Sequence, residues 1–177
     1  MILAFRDHPP ISVSVGPTSV RVAIDPGEDM GIAVFLDAEL VGAGLAPRVD
    51  GEDPAARAGH AARVAVQREG REVQTLVYER PVVRRGGIVR RADVVTLALA
   101  AGGAVAALNP IDVVAREPHA WKGGVDGDAF VEIVRTRWTR PEEHARVHLP
   151  RARSLHHNVW DAVGLGVHHL RGLGLRA

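Results

Sequence analysis

Apolar positions along this 177-residue chain change their period several times, and each change marks an element. Residues 20–25 (VRVAID), 31–36 (GIAVFL) and 40–45 (LVGAGL) are short apolar runs separated by turn residues, and they predict a three-strand antiparallel meander. Asp53-Pro54 then supplies an N-cap and a first-turn proline for a helix over 55–69, stopped by Gly70. Residues 73–78 (VQTLVY) predict a fourth strand, and 80–91 an Arg-rich loop. Asp93 caps a second helix that runs to Leu108, where Ala98, Ala101, Gly102 and Ala106 permit close packing before Asn109-Pro110 ends it. A fifth strand is expected at 111–115, a turn or short helix at 118–123, and helices over 129–138 and 155–170. Residues 1–18, with Pro9, Pro10 and Pro17, read as an N-terminal extension. The order βββαβαβαα predicts one α/β domain over 19–177: a mixed five-stranded sheet, the meander plus two further strands, flanked by helices.

Composition narrows the class. No apolar run reaches the roughly 20 residues of a membrane span, and the first residues lack the basic and apolar regions of a secretory signal. There is no cysteine, which excludes disulfides and thiolate metal sites. A cytoplasmic protein without a membrane partner is expected. The net charge is only +1, but its distribution is uneven. Arg80, Arg84, Arg85, Arg90 and Arg91 share one acid-free stretch. Arg146, Arg151 and Arg153 share another with His144, His148, His156 and His157. Such segments either follow a phosphate backbone or form a solvated Arg-rich surface. Of 22 Lys and Arg residues, Lys122 is the sole lysine: either a chance survivor of an Arg-for-Lys bias or a position where a compact ammonium is wanted rather than a planar guanidinium.

Three acids stand at positions where apolar residues would be ordinary. Asp25 ends the first strand and enters a Pro-Gly turn, with Gly31 beyond it. Glu79 ends the fourth strand. Asp161 lies inside the apolar C-terminal helix. A carboxylate in such surroundings costs stability unless something pairs with it. Three converging carboxylates point to a divalent-metal site of the kind that cleaves phosphodiesters with two ions. Asn158 and His157 lie three and four residues before Asp161, on its helix face. The Asn158 carbonyl oxygen suits Mg²⁺ or Mn²⁺, and His157 is a candidate proton shuttle, ligand or phosphate contact. His168 and His169, about two turns further on, read as surface residues.

Four segments in order carry a resemblance: Ile24-Asp25-Pro26-Gly27 with Gly31; Val77-Tyr78-Glu79-Arg80-Pro81; Pro118-His119-Ala120-Trp121-Lys122-Gly123 before Gly127 and a helix; and Asn158-Val159-Trp160-Asp161-Ala162-Val163-Gly164. Over 20–170 the chain resembles the RuvC-type Holliday-junction resolvases of the ribonuclease H-like superfamily. The resemblance implies a ribonuclease H-like fold and a homodimeric endonuclease that cuts four-way DNA junctions in recombination and repair. It implies two Mg²⁺ or Mn²⁺ ions per site. Asp25, Glu79 and Asp161 match the family's metal-binding acids, and Asn158 matches a fourth ligand position that is usually Asp. Lys122 matches a catalytic lysine that contacts DNA phosphate. The Arg84, Arg85, Arg90 and Arg91 segment matches the junction-contacting loop, but it lacks the family's wedge aromatic. Its apolar candidates are Val82, Val83, Ile88 and Val89.

Two alternatives stay open beside junction resolution: a phage or mobile-element nuclease for branched flaps and forks, and a non-catalytic DNA-binding protein in which Asn158 marks a degenerate site. The Asp-x-Gly turn also opens actin-like ATPase and sugar-kinase folds, which need a second domain that 177 residues do not supply.

Overall fold

The computed structural model describes residues 19–46, 53–67, 72–82 and 91–176. The extension over 1–18 and most of the Arg-rich loop, including Arg84, Arg85 and Arg90, lie outside the described residues. Strands β1 (Val20–Asp25), β2 (Gly31–Leu36) and β3 (Glu39–Leu45) form the antiparallel meander. Helix α1 (Pro54–Gln67) leads to β4 (Val73–Glu79), and α2 (Arg91–Leu108) leads to β5 (Asp112–Arg116). Both later strands run parallel to β1, and the sheet order is β3-β2-β1-β4-β5. The chain ends in α3 (Pro118–Lys122), α4 (Gly127–Ile133) and the long α5 (His156–Gly172). This is the mixed five-stranded sheet with flanking helices that the sequence pattern predicts.

Each face of the sheet is covered by its own helical layer. Val20, Val22 and Ile24 of β1 pack with Ala58, Ala62, Ala100 and Ala104 of α1 and α2. Ala23, Phe35 and Val77 pack on the other face with Val159, Ala162, Val163 and Leu165 of α5. The first pair of helices touch along their backbones: a Cβ on Gly103 would stand 2.0 Å from the Ala55 carbonyl oxygen. The small residues predicted to allow close packing divide between two environments. Ala101 is buried, whereas Ala98, Gly102 and Ala106 face outward on α2.

Several boundaries differ from the sequence expectation. Helix α2 begins at Arg91, so Asp93 lies in its first turn rather than at its cap, where a carboxylate still suits the exposed N–H groups. The helix expected over 129–138 splits into α4 and a wide π turn, Val134–Trp138. Thr139 closes that turn, its N–H donating to the Val134 carbonyl at 2.9 Å. Residues 139–155 contain two 3₁₀ turns and a single bridge from Val147 to Ala43. The surface reading of His169 is overturned. It is only 7% exposed, because α5 rotates it toward the sheet, and neither ring nitrogen has a hydrogen-bond partner. Burial, then Arg116 and Arg21, hold its imidazole below the ordinary histidine value. His168 is half-buried.

Candidate active site

Strand alternation and parallel pairing bring the first two acids together. Val22 and Ile24 face α1 and α2, so Asp25 falls on the α5 face with Ala23. On β4, Leu76 and Tyr78 face α1 and α2, so Glu79 falls on the α5 face with Val77. Ile24 stands opposite Tyr78 in a parallel pair, and both acids therefore leave the sheet side by side at its carboxyl edge. Asp161 comes down from α5 onto the same face and is 8% exposed.

Gly31 makes that descent possible. A Cβ there would stand 1.9 Å from the Asn158 carbonyl oxygen, so only glycine lets the start of α5 rest on the β1–β2 hairpin. Asn158 fastens the contact, its Nδ2 donating to the Asp29 carbonyl at 2.7 Å.

The fourth group arrives from β5, which ends at the same edge. Trp121 of α3 is buried edge-on against Phe130 at 5.0 Å, and this holds the short helix to the body. Lys122 follows it. Its Nζ lies 2.7 Å from Asp161 Oδ2, 3.2 Å from Glu79 Oε2 and 4.8 Å from the Trp121 ring centre. Gly123, with φ of 66°, caps α3 immediately afterwards.

Three carboxylates thus share one ammonium. Burial, reinforced by the Asp161 and Glu79 charges, pushes the Asp25 carboxyl well above the usual range, and Lys122 offsets only part of this. Burial also raises Glu79, against the opposing pull of Lys122. The Trp121 indole N–H adds the smallest lowering influence on Glu79. Burial pulls the Lys122 ammonium down, yet Asp161, Glu79 and Asp25 outweigh it and hold it above the ordinary lysine value. Among the described residues no three His, Asp or Glu side chains stand at metal-binding spacing, and the ammonium takes up the centre instead. The donors nevertheless suit a hard divalent cation. All are oxygens, and three carboxylates have one ammonium, Lys122, to balance them.

Of the residues singled out in the sequence, Asp25, Glu79, Asp161 and Lys122 come together here. Asn158 is adjacent and already engaged as a clamp. His157 is exposed in the first turn of α5. Arg91 begins α2, and its side chain is not among those described. Sequence reasoning gave no separate role to Trp121, whose ring supports the ammonium; its signal was a large aromatic directly before the sole lysine.

No family model matches the chain, and no curated protein matches its sequence. The solved structures do match. RuvC of Thermus thermophilus in complex with a Holliday-junction substrate superposes with a TM-score of 0.61 at 17% identity, covering 89% of this chain and 98% of that one. A second structure of Thermus thermophilus RuvC gives 0.56 at 17% identity over the same shares. The fold is that of RuvC. At this identity the RuvC likeness is one of architecture, and the chemistry rests on the side chains described above. No described helix is long and apolar enough to cross a membrane.

Proposed function

We propose that this protein is a divalent-metal-dependent endonuclease that cuts branched DNA, with the four-way junction as its substrate. The observation that carries the reading is the clustering of Asp25, Glu79 and Asp161 at one sheet edge around a single ammonium. Two-metal catalysts of phosphodiester hydrolysis use such an excess of oxygen charge to hold Mg²⁺ or Mn²⁺. Asp25, Glu79 and Asp161 would be the principal ligands, and the Asn158 side-chain Oδ1 would be an outer one while its Nδ2 keeps the hairpin in place. The bound ions supply water activation and stabilisation of the leaving oxygen. The chain's own groups do the rest. The β1 and β4 ends hold two carboxylates rigidly, α5 brings the third, and the Lys122 ammonium meets negative charge that grows on the phosphate. Exposed His157, one turn before Asp161 on α5, is a candidate to carry a proton to or from solvent.

The Thermus enzyme with its bound junction supports branched DNA as the substrate class, and the arginines from Arg80 to Arg91 supply charge for phosphate contacts. A homodimer fits a substrate with two symmetric cutting points. Helix α2 turns Val95 and Leu99 outward, and Ile111 and Val113 are exposed at the edge strand. This apolar surface is the one a second copy would cover.

The test is cleavage of a synthetic four-way junction beside linear duplex and flap DNA, in Mg²⁺, Mn²⁺ or EDTA. Symmetric, metal-dependent nicks confined to the junction are expected. Equal cutting of flaps and forks would move the protein to general branched-DNA nucleases. Binding without cutting in any metal would make it a non-catalytic junction-binding protein.

A further inference from the structure

The nuclease reading leaves one contact unused. Lys122 does not lie at the rim of the site, where a phosphate contact would wait. Its Nζ sits inside, against Asp161 Oδ2 at 2.7 Å and Glu79 Oε2 at 3.2 Å. Those oxygens belong to the same carboxylates that any bound cation would need. An ion ligated by both oxygens at about 2.1 Å would have to stand where Nζ now stands, so the two compete for the same lone pairs. The ammonium and a divalent ion are therefore alternatives at these carboxylates.

The local build allows such an exchange. Lys122 is the last residue of a five-residue helix. Gly123 and Gly124 follow with φ of 66° and 78°, and residues 123–129 are exposed. The Lys122 stem can swing without disturbing Trp121, which stays packed against Phe130. A guanidinium would grip both carboxylates in a fixed fork, whereas an ammonium on a flexible stem lets go readily. That difference accounts for a lone lysine in a chain whose other strong bases are all arginine.

We propose that Lys122 is the resident counter-ion of the metal-free site, and that it leaves Glu79 and Asp161 when a divalent ion binds. Its release frees the ammonium to turn toward a phosphate. The site is thus held together before loading, and the ammonium becomes available to DNA only after loading. This inference rests on the nuclease reading of the same carboxylates, and it concerns binding rather than turnover.

Because Lys122 is the only lysine, its amine can be followed directly in the full chain. The experiment measures acetylation of Lys122 by an amine-specific reagent, read by peptide mass so that the α-amine is counted separately, in EDTA and in saturating Mn²⁺. Calorimetry on the same samples reports whether Mn²⁺ binds. The expected result is Mn²⁺ binding with a labelling rate about tenfold higher than in EDTA, equivalent to about 1.4 kcal/mol of released contact. Mn²⁺ binding with an unchanged labelling rate would overturn the exchange and leave the metal reading intact. Absence of Mn²⁺ binding would overturn the metal reading and the exchange with it. Lys122→Met gives a second readout: its rise in Tm on adding Mn²⁺ should exceed that of the unaltered protein, and an equal rise would count against the exchange.

Discussion

Glu143 and the pair Asp25 and Glu79, carboxylates withdrawn from solvent to different degrees, have opposite fates. Glu143 is fully buried, yet it is completely served. Its oxygens accept from Leu40 N at 3.0 Å and Arg140 N at 2.8 Å, and Arg176 pairs with both. Burial alone would raise this carboxyl, but the Arg176 and backbone hydrogen bonds outweigh it and hold it below the ordinary glutamate value. Arg176 also donates to the Ala38 and Trp138 carbonyls, so the pair ties the C-terminus to the β2–β3 turn and the wide turn before the 3₁₀ segment. Asp25 and Glu79, half-buried at the sheet edge, share one ammonium among the described residues, and desolvation drives both upward. Donor supply decides which of these carboxylates is held below its ordinary value and which are driven above it.

The strongest way to sharpen that contrast is Asp25→Asn. Junction cleavage should fall about a thousandfold or more, a barrier increase of at least about 4 kcal/mol. The metal-free protein should become more stable at neutral pH, because a repelled charge has gone. Gel assays and melts in EDTA check the two halves, and a variant that still cuts would dissolve the functional side of the comparison.

The mirror experiment is Arg176→Ala. Removing one partner strands Glu143 in the core and should cost about 3 kcal/mol or more in urea unfolding. A small loss would mean that Glu143 is no better served than the site acids.

Gly31→Ala acts on one group only. Its Cβ would press on the Asn158 carbonyl, so α5 must lift from the hairpin. A cost of about 1–3 kcal/mol is expected, with weaker Mn²⁺ binding by calorimetry and no change in the effect of Arg176→Ala.

The smallest effects are those of pH, and they run in opposite directions. Glu143 contributes stability that is complete above the unfolded glutamate value of about 4.3 and is lost as pH falls through its lower folded value. Glu79 is raised, so in the metal-free protein its contribution is full below that unfolded value and disappears as pH rises toward the folded one. In EDTA, Glu79→Gln should therefore gain on the unaltered protein as pH rises through that window, by less than about 1.4 kcal/mol per pH unit. A difference that stays flat with pH would remove the distinction between the two groups.

Much of the candidate site was legible along the chain, because an acid announces itself by interrupting an apolar run. Asp25, Glu79 and Asp161 each do so, and parallel β1 and β4 then bring the first two to one edge. Glu143 carries no such sign. It sits in a polar stretch, and its partners lie 33 residues later at Arg176 and 103 residues earlier at Leu40. His169 was misread for the same reason, since helix period alone does not say which face meets the sheet.

Local patterning therefore determined the elements, their order, the meander and the identity of the four central site groups. Tertiary structure alone decided which carboxylates receive donors, that Gly31 serves the approach of α5, and that Lys122 lies among the acids rather than outside them. Periodicity is a property of neighbouring residues, whereas hydrogen bonds and charge pairs between distant segments exist only once the backbone has brought those segments together.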